Sequence, residues 1–71
     1  MAANNLFNPP RKVKMDFAGL DGDAFSLIAG WTINAMYQGW SPVDCKQVTE
    51  EAISGDYGHF LAVILAHSTE S

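Results

Sequence analysis

The chain has 71 residues, which permits one domain with a modest core and excludes a multidomain protein. Hydrophobic residues make up 48% of it, more than a disordered acidic chain carries, so the composition predicts folding. Charge is segregated, because residues 1–15 carry three basic side chains and no acid (+3), whereas residues 16–71 carry eight acids and Lys46 (−7), giving −4 in all.

Residues 1–15 are predicted to be a flexible basic N-terminal arm, since Pro9 and Pro10 disfavour a helix there. A basic arm on an acidic body steers encounter with a larger partner. The arm also carries two apolar side chains that a small core does not need. We therefore predict that a partner is contacted by five residues of the arm: Leu6, Phe7, Arg11, Lys12 and Lys14. Neither a signal peptide nor a membrane span is expected.

The segment Lys12–Phe17 alternates polar and apolar residues, as a half-buried strand does. Val13, Met15 and Phe17 would share one face. A lone strand has no pairing partner in the predicted fold. It either lies extended over the helices or offers its edge to a strand of another protein.

The first helix is predicted from Asp23, which can cap it, to Gln38. It has two apolar faces, the first formed by Ala24, Leu27, Ile28, Trp31 and Ala35 and the second by Phe25, Ala29, Ile33, Met36 and Trp40. Such a helix is either the central helix of a small bundle or in part a docking surface. We favour the central position.

The second and third helices have clear boundaries. Gly39 ends the first helix, and Ser41 caps a helix over residues 42–53, in which the lone Cys45 is predicted to be buried. A third helix runs over residues 57–67 with an apolar stripe of Tyr57, Phe60, Leu61, Ile64 and Leu65, and residues 68–71 are predicted to fray. The predicted fold is mainly α: a compact three-helix domain over residues 16–71, with the N-terminal arm or a single short strand in front.

The residue pattern argues against catalysis and metal binding. His59 and His67 lie about 12 Å apart along the third helix, so they cannot hold one metal ion. Cys45 has no partner at zinc-ligand spacing. The third helix lacks the basic and amide side chains that read DNA. We therefore expect no catalytic residue, no metal, no cofactor and no direct contact with nucleic acid.

Three motifs resemble a group of short phage and prophage proteins. They are Gly19-Leu20-Asp21-Gly22-Asp23-Ala24-Phe25, then Gly39-Trp40-Ser41, then Glu51-Ala52-Ile53-Ser54-Gly55-Asp56-Tyr57 followed by Leu61. The group usually has asparagine where Asp23 stands. Within it, the chain is similar to small phage regulators that bind host RNA polymerase, displace sigma and assist antitermination. The resemblance implies contacts with the beta-prime N-terminal region and the beta flap, made largely through the front segment. The lone Cys45 and the expected lack of a signal peptide predict a cytoplasmic location, which for a phage protein is the host cytoplasm.

The sequence thus predicts a phage protein that binds host RNA polymerase and inhibits initiation by displacing sigma, with or without antitermination activity. Two alternatives stay open. One is a structural or oligomeric accessory module that forms a homodimer through its apolar first helix. The other is an acidic inhibitor of a different host nucleic-acid-binding protein. The expected oligomeric state is a monomer or a weak dimer.

Overall fold

The computed structural model describes residues 4–70 and contains three helices and a two-stranded parallel sheet. In chain order the elements are β1 (Val13–Met15), α1 (Ala24–Tyr37), α2 (Pro42–Ala52), α3 (Tyr57–Ala66) and β2 (Ser68–Glu70). The prediction of a mainly α, three-helix domain with one short strand from the front segment is confirmed.

Each helix begins where a side chain satisfies a free backbone donor. Asp23 accepts from the N–H of Ser26 at 2.7 Å, and Ser41 accepts from the N–H of Asp44 at 3.2 Å. Asp56 caps α3 in the same way. These contacts explain why the predicted helix starts agree with the structure. At the end of α1, Gly39 adopts a φ of +96°, which favours glycine just beyond a helix C-terminus.

The strand β1 has a partner that the sequence did not reveal. β2 runs parallel to it, with Val13 opposite Ser68 and Met15 opposite Glu70. The prediction that residues 68–70 fray is therefore wrong, while residue 71 lies outside the described part of the chain. The two strands come from opposite ends of the sequence, so only the folded helices bring them together. Val13 and Met15, assigned above to the arm, are fully buried in the same core as the helices.

The core lies between one face of α1 and the inner faces of α2, α3 and β1. Trp31 is fully buried at its centre, and its indole N–H donates to the carbonyl of His67 at 3.2 Å. The buried hydrophobic residues are Val13, Met15, Leu27, Trp31, Ala35, Trp40, Cys45, Val48, Ala52, Phe60, Val63 and Ile64. Leu27, Trp31 and Ala35 of the first predicted face of α1 are in this set, and the predicted burial of Cys45 is confirmed. Trp40, predicted on the second face, is buried as well.

Two expectations about the helices are corrected. α1 is not enclosed on all sides, because Phe25 and Ile33 on its second apolar face are 87% and 65% exposed. On α3, Tyr57 and Leu65 are about half exposed, and Val63 is buried instead. An apolar run such as that of α3 does not show which of its sides meets the rest of the core.

Candidate partner-binding surface

The segment predicted as a basic arm is tied to the body by the side chain of Asn5. Its amide nitrogen donates to the carbonyl of Arg11 at 2.7 Å and to that of Ala66 at 2.9 Å. Its oxygen accepts from the N–H groups of Phe7 at 2.9 Å and Arg11 at 3.3 Å. One side chain therefore closes residues 5–11 into a loop and joins that loop to the end of α3.

A buried histidine provides the second attachment. His67 is fully buried, and its Nδ1 lies 2.8 Å from the carbonyl of Val63. Nδ1 therefore donates, which leaves Nε2 to accept the N–H of Leu6 at 3.0 Å. The carbonyl of His67 also accepts the N–H of Val13 at 2.9 Å. His67 thus acts as a structural connector between the front segment and the end of α3.

Phe7 and Arg11, two of the five predicted contact residues, face the body. The Phe7 ring packs edge-on against Trp40, with centroids 5.3 Å apart. The Arg11 guanidinium carbon lies 4.1 Å from the Trp40 ring centroid, and Arg11 forms an ion pair with Asp44 at 2.7 Å. The hydrogen bond from Arg11 lowers the pKa of the Asp44 carboxyl below its ordinary value. The sequence did not reveal these intramolecular roles.

The other three predicted contact residues point outward. Leu6 is 45% exposed, and Lys12 and Lys14 are exposed. The backbone at Lys14 is held by Gln38, whose amide accepts the Lys14 N–H and donates to the Lys14 carbonyl, both at 2.9 Å. We define Leu6, Lys12 and Lys14 as the N-terminal surface. Their role in binding stays a prediction.

Leu6 also borders a surface depression of about 530 Å³. The rest of its lining comes from α2 and the turn after it: Gln47, Glu50, Glu51 and Ser54. None of these four residues is among the contact residues predicted from the sequence. The depression therefore places an apolar side chain beside carboxylates, at a position that the sequence analysis did not identify.

A serine, a histidine and a carboxylate meet at the turn between α2 and α3, but their geometry differs from that of a catalytic triad. Nε2 of His59 lies 3.0 Å from a carboxylate oxygen of Glu51 and 3.4 Å from the Ser54 hydroxyl. A triad needs the acid and the nucleophile on opposite ring nitrogens, whereas here both lie at the same nitrogen. The Ser54 hydroxyl also donates to the Glu51 carbonyl at 2.6 Å. This cluster stabilises the turn.

Residues 4–70 also offer little for a reactive thiol, a metal site or a membrane span. Burial raises the pKa of the Cys45 thiol, which disfavours the thiolate needed for nucleophilic attack. No group of three potential metal ligands occurs among the described residues. None of the helices in this part of the chain has the length and apolar character to cross a membrane.

Comparisons of the chain with protein-family models, with curated proteins and with solved structures find no match. The motifs that carry the phage resemblance have structural roles here. The Tyr57 hydroxyl donates to the carbonyl of Gly22, which joins the first motif to the third. These residues cap helices and connect turns, so they explain the fold more directly than they explain a function.

Proposed function

We propose that this protein acts by binding, and that it regulates transcription by docking on bacterial RNA polymerase through the N-terminal surface. The observation that supports this proposal most is that residues 5–15 lie on the body while Leu6, Lys12 and Lys14 face outward. A surface held in place before binding loses less conformational entropy when a partner docks. The choice of polymerase rests on the motif resemblance.

The proposed mechanism is inhibition of initiation by displacement of sigma, with the beta-prime N-terminal region and the beta flap as the docking sites. The lysines of the N-terminal surface would speed encounter with acidic polymerase segments, and Leu6 would supply apolar contact. Direct binding of DNA is not part of the proposal, because the body carries a net charge of −7.

The test uses purified polymerase holoenzyme from the bacterium that hosts the gene. We expect the protein to bind the enzyme, release sigma and inhibit promoter transcription when added before DNA. The triple variant Leu6→Ala/Lys12→Ala/Lys14→Ala should bind at least about tenfold more weakly, which corresponds to about 1.4 kcal/mol. Lys46→Ala, which removes a lysine of α2 with a 76% exposed side chain, is the matched control and should bind normally.

Substitutions are preferable to deletion of the front segment, because deletion would also remove the packing of Phe7 and the ion pair of Arg11. The proposal is wrong if sigma occupancy, initiation and termination are all unchanged at saturating protein. If the protein inhibits but the triple variant inhibits equally well, the regulator assignment stands and the N-terminal surface is the wrong site.

A further inference from the structure

The outer side of α1 is an exposed apolar stripe. We define the α1 outer face as Phe25, Ala29, Ile33, Met36 and Tyr37. Tyr37 is 91% exposed and Met36 is 49% exposed, and Phe25 and Ile33 are also largely exposed. No residue from Ala24 to Tyr37 is charged. At 100° per residue the five side chains span about 120° of the helix surface, so they form one continuous patch.

The order of side chains along the α1 outer face makes this face complementary to the same face of a second copy. Phe25 and Tyr37 lie about 9 Å on either side of a point midway along the helix, at 1.5 Å per residue. Ala29 and Ile33 lie about 3 Å on either side of the same point. A twofold axis through this point would therefore place Phe25 opposite Tyr37 of the second copy, and Ala29 opposite Ile33. Aromatic rings would meet at both ends, and a small residue would face a larger one in the middle.

We propose that the α1 outer face is the interface of a homodimer, in which the α1 helices of two copies pack antiparallel. Charge favours a second copy as the occupant. Each copy carries a net charge of −4, so repulsion between two copies is lowest where they meet at a face without charges, and the α1 outer face has none. In an antiparallel arrangement the two helix dipoles also point in opposite directions, which is favourable. The proposal is independent of polymerase binding.

The size of the patch predicts a weak dimer. Each aromatic ring buries roughly 150–250 Å² when covered, and a dimer would cover four of them. With Ile33 and Met36 from both copies, the total approaches the lower limit of about 1,200 Å² for specific interfaces. We expect dissociation constants in the range of tens to hundreds of micromolar, so dilute solutions would contain mainly monomer.

Sedimentation equilibrium over about 10 μM to 1 mM protein tests the association. The mass should rise from 7.7 kDa toward twice that value. Ile33→Glu should weaken the dimer at least about tenfold, because it places two charges in the interface. Val43→Glu is the matched control, since Val43 on α2 is 66% exposed against 65% for Ile33. A monomer at about 1 mM, or equal weakening by both variants, would overturn the proposal.

A mixing experiment tests the antiparallel orientation. Phe25→Lys and Tyr37→Glu should each impair self-association, since each removes two contacts between aromatic rings and brings two like charges into the interface. Mixed together, the two variants should form a heterodimer stronger than either homodimer. The lysine introduced in one copy then meets the glutamate introduced in the other, and the second Phe25–Tyr37 contact stays intact. In a parallel pair position 25 would meet position 25, and mixing would also relieve like-charge contacts, so the double variant Phe25→Lys/Tyr37→Glu decides the orientation. An antiparallel homodimer of this variant pairs lysine with glutamate at both ends and should associate more tightly than either single variant. A parallel homodimer sets like charges together at both ends, so association weaker than that of the single variants would refute the antiparallel geometry. Circular dichroism of each variant should match the wild type.

Discussion

Nε2 of His67 accepts a hydrogen bond from the backbone N–H of Leu6 at 3.0 Å, although 61 positions separate the two residues. Beside it, the Asn5 side chain donates to the carbonyl of Ala66. Because His67 is fully buried, water could take the place of either hydrogen-bonding partner only if the core opened. The N-terminal surface and the end of α3 should therefore become ordered together.

His67→Phe tests this connection. The variant keeps an aromatic ring but leaves the N–H of Leu6 without its acceptor, while the carbonyl of Val63 keeps only the backbone N–H of residue 67. We expect a loss of about 1–3 kcal/mol in the free energy of unfolding and faster hydrogen exchange at the Leu6 amide. Denaturation and exchange measured by NMR provide both readouts. Unchanged protection of that amide in a folded variant would show that the connection does not order the segment.

Gln38 protects the free edge of β1 by pairing with both backbone groups of Lys14. Gln38→Glu keeps an acceptor for the Lys14 N–H but sets a carboxylate oxygen against the Lys14 carbonyl. Gln38→Ala removes both contacts. We expect each variant to lose about 1 kcal/mol, which lowers the melting temperature by about 4–8 °C in a domain of this size. Equal melting of wild type and both variants would contradict a stabilising role for Gln38.

Two glycines near the start of α3 should respond in opposite ways to alanine. A Cβ at Gly55 would lie 2.9 Å from the Cγ of His59, so Gly55→Ala should destabilise by about 1–3 kcal/mol. At Gly58 the nearest atom, Oδ1 of Asp56, is 3.5 Å away, and the residue lies in the helix, so Gly58→Ala should stabilise by up to about 1 kcal/mol.

Urea denaturation measures both effects. The cost of Gly55→Ala should shrink in a His59→Ala background, because the obstructing ring is then absent. An undiminished cost in that background would show that the strain does not come from the ring, but from the Cβ of residue 59, which lies 3.0 Å from the added Cβ, or from the turn itself.

The ion pair between Arg11 and Asp44 predicts a pH dependence of stability. The folded-state pKa of Asp44 is lowered, whereas an unfolded aspartate has a pKa of about 3.9. As pH falls, the unfolded chain binds the proton first, so stabilisation that is present above about pH 4 is lost as pH drops through the folded-state pKa.

The stability difference between wild type and Asp44→Asn should therefore be constant from neutral pH to about pH 5 and shrink below about pH 4. Urea denaturation at a series of pH values measures this difference. Arg11→Met should show the same trend, because it removes the other partner. A difference that stays constant down to about pH 2 would show that the pair does not lower the pKa of Asp44.

The basic side chains among the predicted contact residues differ in environment in a way that the local sequence does not show. Lys12 and Lys14 are exposed, as expected for charged side chains outside the core. Arg11 has the same charge but lies on Trp40 and pairs with Asp44. No local pattern distinguishes Arg11 from the lysines, because Trp40 and Asp44 meet Arg11 only after the front segment has packed on the start of α2.

The sequence by itself determined the helices, because the groups that start and end them are local. Asp23, Ser41 and Asp56 each satisfy a backbone donor within three residues, and Gly39 adopts the conformation that ends α1. Only the tertiary structure decided which apolar face of α1 is buried. It also decided that Ser68–Glu70 pairs with β1 and that His67 joins the chain ends. Those choices depend on contacts between distant residues, whose free energy is gained only when the whole core assembles.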